Sequence, residues 1–191
     1  MSEPRLAPPG AGLPFPENHL TRWMFGLKVL TGSSEDFTAH FIRERGVIRA
    51  LICHLDETML TRRVLITRPR GLEDSSRYWS VLMTLDHLRI VNLAFSGVIE
   101  TLAGEQVPEG VASTAAVKPD PAVTMDVVGE YEASCDTLFA TLAAVKNFKT
   151  RARFPHPWFG PMNAHGWHAL AGTHLAIHRL QIERILAGSP R

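Results

Sequence analysis

Residues 172–181 read Gly172-Thr173-His174-Leu175-Ala176-Ile177-His178-Arg179-Leu180-Gln181, within a longer run of helical apolar spacing. Two histidines four residues apart on a helix stack their imidazoles on one face, close enough to share an ion. Leu170, Ala171, Ile177 and Ile185 neighbour them on that face, so both rings are expected to point into an apolar core. A buried imidazole gives up its hydrogen bonds to water, and something must compensate it. Spacing leaves two candidates, a hydrogen-bonded core cluster or a bound metal ion.

Working outward, Asn163 is a capping residue that opens this helix, which runs to about Leu186 before Gly188 and Pro190. Three more long helices precede it. The first spans about 34–66, with Ser34 as cap, Glu35 and Asp36 in the first turn, and Phe41, Ile48, Leu51, Leu55 and Met59 at helical spacing. The second starts at Asp74 or Ser75 and ends near Leu102. Its stripe is Met83, Ile90, Val91, Ala94 and Val98, with Gly104 as C-cap. The third covers about 122–147 and carries Val127, Val128, Tyr131, Leu138, Phe139, Leu142 and Val145.

Proline- and glycine-bearing stretches at 104–121 and 148–161 are longer than bundle turns require. They either let neighbouring helices run parallel or cover one end of the bundle. Residues 1–16 hold five prolines and are expected to lie outside the core. After them Asn18 would cap a short helix at 19–30 that packs Trp23, Phe25, Leu27 and Leu30 and ends at Gly32. No segment alternates with period two, so no strand is required. The expected architecture is all-α: a four-helix bundle over 34–191, with long connections and an N-terminal extension over 1–33.

The chain has 191 residues, 45% hydrophobic and 20% charged, with a net charge of +1. That balance leaves no electrostatic footprint for nucleic acid, and Arg62-Arg63 and Arg68-Pro69-Arg70 are short enough to be solvated helix-end charges. Cys53 and Cys135 stand far apart inside apolar-periodic segments and are expected to be buried, reduced thiols. No apolar h-region opens the chain, and no apolar run approaches the roughly 18 residues of a membrane span. The expected location is cytoplasmic, away from membranes.

Of nine histidines, His19, His40 and His165 fall near helix starts or polar faces, and His54 and His168 sit within helices without an obvious partner. His87 differs. It shares the face of Met83, Ile90, Val91 and Ala94, which aims it at the core. With His174 and His178 it makes three imidazoles from two helices, a natural arrangement for a divalent ion in a bundle that leaves a coordination position open.

The blocks Trp79-Ser80-Val81-Leu82 … Asp86-His87-Leu88 and His156-Pro157-Trp158-Phe159-Gly160 … Trp167 … His174-x-x-x-His178-x-x-Gln181 are more specific. Together they resemble the DinB/YfiT-like superfamily of metal-binding four-helix bundles, in the branch with an His-Pro-x-Phe-Gly segment before the last helix. The resemblance spans about residues 34–187. It implies a divalent metal held by His87, His174 and His178, with zinc or nickel first and iron among the other ions. It also implies a homodimer, and a small-molecule substrate that includes a low-molecular-weight thiol among its options. The chain departs from that branch at Pro161-Met162-Asn163, where Leu-Thr or a similar cap is usual, and at Arg179, where a further histidine often follows the last ligand.

His156 and Gln181 are the next candidates, as a loop residue reaching toward the site and a partner for a ligand ring. An ion held by three neutral ligands keeps its full positive charge. The functional expectation is therefore a metal-dependent enzyme carrying out hydrolysis or thiol transfer and isomerisation. The alternatives are a non-catalytic metal- or small-ligand-binding bundle and a structural histidine cluster. Glu57, Glu100 and Glu183 are available carboxylates, and none is placed well as a general base.

Overall fold

A computed structural model of the protein describes residues 4–188, so the expected stop at Pro190 lies outside the described residues. Six α-helices and two small hairpins are present among them. The bundle is built from α2 (Ser34–Ile52), α4 (Val81–Ala103), α5 (Val127–Ala144) and α6 (Ala164–Ala187). α6 packs against both α2 and α4, and α4 packs against α5. The core between them centres on Phe41, Ile48, Leu85, Leu88, Ile99, Tyr131, Leu138, Leu175 and Ile182. The α2–α5 side is closed mainly by ions: Arg45 and Arg49 both reach Glu132, at 2.6 Å and 2.7 Å.

α6 begins where expected, with the Asn163 side chain accepting from Gly166 N–H at 3.1 Å. The expected helix over 34–66 is shorter. It is capped by Ser33, whose hydroxyl and the Asp36 carboxylate form a reciprocal capping box, and it ends at Ile52. Asp56 then caps a separate short helix, α3 (Glu57–Thr61), by accepting from Met59 N–H at 2.8 Å. The second expected helix is also shortened. Asp74 and Ser75 open only a 3-10 turn (Asp74–Ser76), and Ser80 is the true N-cap of α4. α5 likewise occupies only the middle of its expected range.

Strands occur where none was required. β1 (Val64–Leu65) pairs antiparallel with β2 (Tyr78–Trp79), setting Trp79 directly before α4. β3 (Phe154–His156) and β4 (Gly160–Met162) form a hairpin closed by Pro157-Trp158-Phe159, with Gly160 at φ 73°. Backbone of that sign suits glycine, and the turn fixes His156 and Trp158 over one end of the bundle.

The N-terminal segment is tied down rather than merely appended. Ala7 N–H donates to Asp74 at 2.8 Å, Gly10 N–H reaches Glu73, and Leu13 is buried. α1 (Phe15–Thr31) starts before Asn18, with Pro16 in its first turn, where a missing N–H costs nothing. Glu17 binds the Arg68 guanidinium and Gly71 N–H. Phe25 stacks on Phe159 at 4.3 Å between ring centres, and Lys28 donates to Thr173 at 2.7 Å. Trp23, Leu27 and Leu30, expected to pack inward, instead face out, since the opposite side of the helix meets α6.

α4 is long and apolar enough by composition to cross a membrane, but two thirds of that window is buried inside the bundle. Cys135 is buried as expected, whereas Cys53 is exposed at the end of α2. His165 and His168, expected to be unremarkable, are both buried. His168 meets the Thr38 hydroxyl at 3.0 Å and stacks against Phe148.

Candidate metal centre

α4 and α6 bring His87, His174 and His178 together. One nitrogen from each lies within 4.8 Å of the others. His87 and His174 are closest, Nε2 to Nε2 at 3.1 Å. Nitrogens around a tetrahedral zinc, each about 2.0–2.1 Å from it, stand roughly 3.3 Å apart. The 3.1 Å between His87 and His174 is close to that spacing.

Hydrogen bonds decide which nitrogen each ring offers. His87 Nδ1 lies 2.6 Å from the Val117 carbonyl, which can only accept, so the proton is on Nδ1 and Nε2 keeps its lone pair. Gln181 donates its amide to Ser76 O at 2.7 Å, which turns Oε1 toward His178 Nδ1, also at 2.7 Å. His178 is thereby fixed in the same tautomer. His174 Nδ1 is buried and has no hydrogen-bond partner among the described residues.

All three rings are neutral at pH 7. Burial pushes His87 down to about 4. Burial, and then the neighbouring rings, hold His174 and His178 well below the usual imidazole range. Three neutral imidazoles with converging lone pairs, two of them fixed by backbone or amide acceptors, are a donor set that fits a divalent cation. Without one, the close approach of His87 and His174 sets two lone pairs against each other unless one of them is protonated.

The triad sits under an indole and at the floor of a cavity. Trp79 stacks parallel to His178 at 6.3 Å and lies 5.3 Å from His87, while Phe95 meets the edge of His174. The cavity holds about 330 Å³ and is lined by all three histidines, by His156, by apolar side chains of α4 and α6, and by the 108–118 loop. This loop is anchored through Glu73, which accepts from Thr114 at 2.8 Å and Lys118 at 2.7 Å.

The residues singled out in the sequence sort clearly. Gln181 touches His178 directly and is fully buried. His156 lines the cavity wall, stacked on Phe159 at 4.9 Å, outside the cluster of three. Glu57 and Glu100 are exposed, and Glu183 is engaged by Arg179 at 2.6 Å. Sequence reasoning missed Val117 and the loop bearing it, because a carbonyl acceptor has no side-chain signature. It also missed the capping indole of Trp79, although the Trp79-Ser80 pair before α4 offered a clue.

A family model described as the DinB superfamily matches residues 40–182, which include all three histidines. The chain belongs to the DinB superfamily. This DinB chain also matches the crystal structure of TT2238, a four-helix bundle protein, with a TM-score of 0.58 at 20% identity. The match covers 79% of this chain and 98% of that one, and at such identity it speaks for the fold. No curated protein matches the chain.

Proposed function

We propose that this DinB protein is a divalent-metal-dependent enzyme acting on a small molecule held in the cavity above His87, His174 and His178. The carrying observation is the three-histidine cluster with lone pairs oriented by Val117 and Gln181 at the floor of a 330 Å³ cavity. Imidazole donors suit zinc and nickel first, with iron and copper also within the range of the donor set. A bound ion would supply Lewis acidity at its open position, to polarise a substrate oxygen or favour the ionised form of water or a thiol.

The chain's own residues do the rest. Val117 O and Gln181 hold the rings in register, while Trp79 and Phe95 restrict them from the sides. The apolar cavity walls exclude water, which strengthens every charge interaction inside. Hydrolysis and thiol transfer or isomerisation are the two reactions proposed for this site.

A second reading, a metal-bearing bundle that binds a small ligand without turning it over, draws on one observation. Among the described residues the carboxylates lining the cavity are Glu73 and Glu109. Glu73 is engaged by Lys118 and Thr114, so it is not free to act as a base.

Metal analysis of protein purified without a histidine tag tests the site. Stoichiometric divalent metal that is lost in His174→Ala is expected, and a folded, metal-free wild type would overturn the proposal. Metal-dependent consumption of a thiol with electrophiles, or turnover within an ester and amide panel, supports the enzyme. Metal bound without turnover in either set supports the binder.

A further inference from the structure

The cavity above the triad is walled by Val91, Phe95, Phe154, Trp158, Trp167 and Ile177. Its inward charges cancel. Lys118 lies 2.7 Å from Glu73 and also donates to the Ser75 and Ser76 hydroxyls, while Glu73 takes Thr114 in addition. Of the charged groups described on the walls only Glu109, exposed on the 108–118 loop, is unpaired, so in the metal-free cavity a charged ligand would be desolvated among the aromatic side chains without a countercharge, which is costly.

Among these aromatic walls stands a polar ring, His156. Trp158 N–H donates to its Nδ1 at 3.1 Å, so the ring's proton resides on Nε2. Burial pushes the ring down to about 4, and it is neutral at pH 7. Stacking on Phe159 at 27° and an edge contact with Trp167 fix its plane. The result is a neutral imidazole with its N–H at Nε2, held in plane in a wall of the cavity that the triad also lines. A donor set among aromatic side chains suits oily molecules that bear an acceptor.

We propose that the cavity takes an uncharged, largely apolar carbonyl compound, and that His156 Nε2–H donates a hydrogen bond to its oxygen. This names the substrate class of the metal-dependent reading above and rests on it for any reaction that follows. Size is limited as well. A cavity of 330 Å³ is roughly twice the ~150 Å³ that holds one benzene, so the class extends to two fused rings or an alkyl chain of similar bulk. In the metal-free cavity highly polar, multiply charged thiols fall outside that class. A thiol co-substrate would have to approach from the mouth.

The test is calorimetric titration of tag-free protein, metal-loaded and metal-stripped, with four probes: 2-naphthamide, 2-naphthoate, acetamide and naphthalene. In stripped protein 2-naphthamide is expected to bind at least about tenfold tighter than 2-naphthoate or acetamide. His156→Phe keeps the stacking and loses the donor. It should weaken 2-naphthamide about tenfold, the worth of one hydrogen bond, and leave naphthalene unchanged. Ala94→Trp, which sets an indole at the exposed rim of the cavity, should weaken both at least about tenfold while metal content stays at the wild-type level. Naphthoate or acetamide binding as tightly as naphthamide would overturn the proposal. So would an unchanged naphthamide affinity in His156→Phe. Failure of the metal reading looks different: naphthamide binds and depends on His156, yet the purified protein holds no stoichiometric metal.

Discussion

The amide oxygen of Gln181 lies 2.7 Å from Nδ1 of His178 and accepts its proton, while the amide nitrogen is engaged by Ser76 O at 2.7 Å. The side chain thus cannot flip without losing both bonds, and its orientation sets the tautomer of a candidate ligand. Gln181→Ala is expected to weaken metal affinity about 10–100-fold, short of the complete loss in His174→Ala. A competition titration against a chelator of known affinity measures it. Affinity equal to the wild type would mean that the ring needs no such partner.

Gly172 faces α2 at His40 and Phe41. A Cβ there would come within 2.9 Å of Phe41 N and of His40 Nδ1, and a backbone atom cannot swing aside. Gly172→Ala should cost about 1–3 kcal/mol by forcing α2 and α6 apart, read as a lower denaturant midpoint. The strain acts two residues before His174, so metal affinity should fall with it. An unchanged midpoint would show that the pair of helices slides freely.

His168 is fully buried, and burial pushes its imidazole down to about 4. The unfolded chain protonates this ring near pH 6.5, so between about 6.5 and 4 the unfolded state binds the extra proton. Stability from this group is complete above pH 6.5 and is lost as pH falls toward 4, with a slope of at most about 1.4 kcal/mol per pH unit. Urea unfolding of metal-stripped protein at several pH values should show that decline, and His168→Gln should flatten it. An identical slope in the variant would locate the acid sensitivity elsewhere.

The two thiols should respond differently to a disulfide reagent. Cys53 is exposed, whereas burial pushes Cys135 up to about 11 beneath Tyr131 and Asn92. One thiol per chain should be modified quickly in native protein and the second only in denaturant. Two fast thiols would mean that the α4–α5 interface opens readily.

Much of this fold is written in local signals. Asn163 and Gly104 mark helix ends by capping chemistry, and α6 can be read from its apolar period alone. The break after Ile52 could not be read that way, since Leu55 and Met59 continue the period although Asp56 starts a new turn. The start of α4 was hidden for a related reason. Asp74 and Ser75 do lie in a helical turn, but pairing of Val64–Leu65 with Tyr78–Trp79 draws the chain away before Ser80 restarts it. Of the site, His174 and His178 were legible because they share a helix and a face. His87 followed from its face on α4. The Val117 carbonyl and the Glu73 anchor depend on where a loop of irregular backbone comes to rest, which spacing does not encode.

That anchor extends further upstream than the family match. Residues 40–182 carry every histidine of the triad, yet the loop over them is held by Glu73, which also receives the backbone of Gly10, while Ala7 is tied to Asp74. The family-matched span is therefore smaller than the working unit. A shortened clone chosen from that match would keep Glu73, Thr114 and Lys118 but lose the backbone donors of Gly10 and Ala7 that brace Glu73 and Asp74 from outside it.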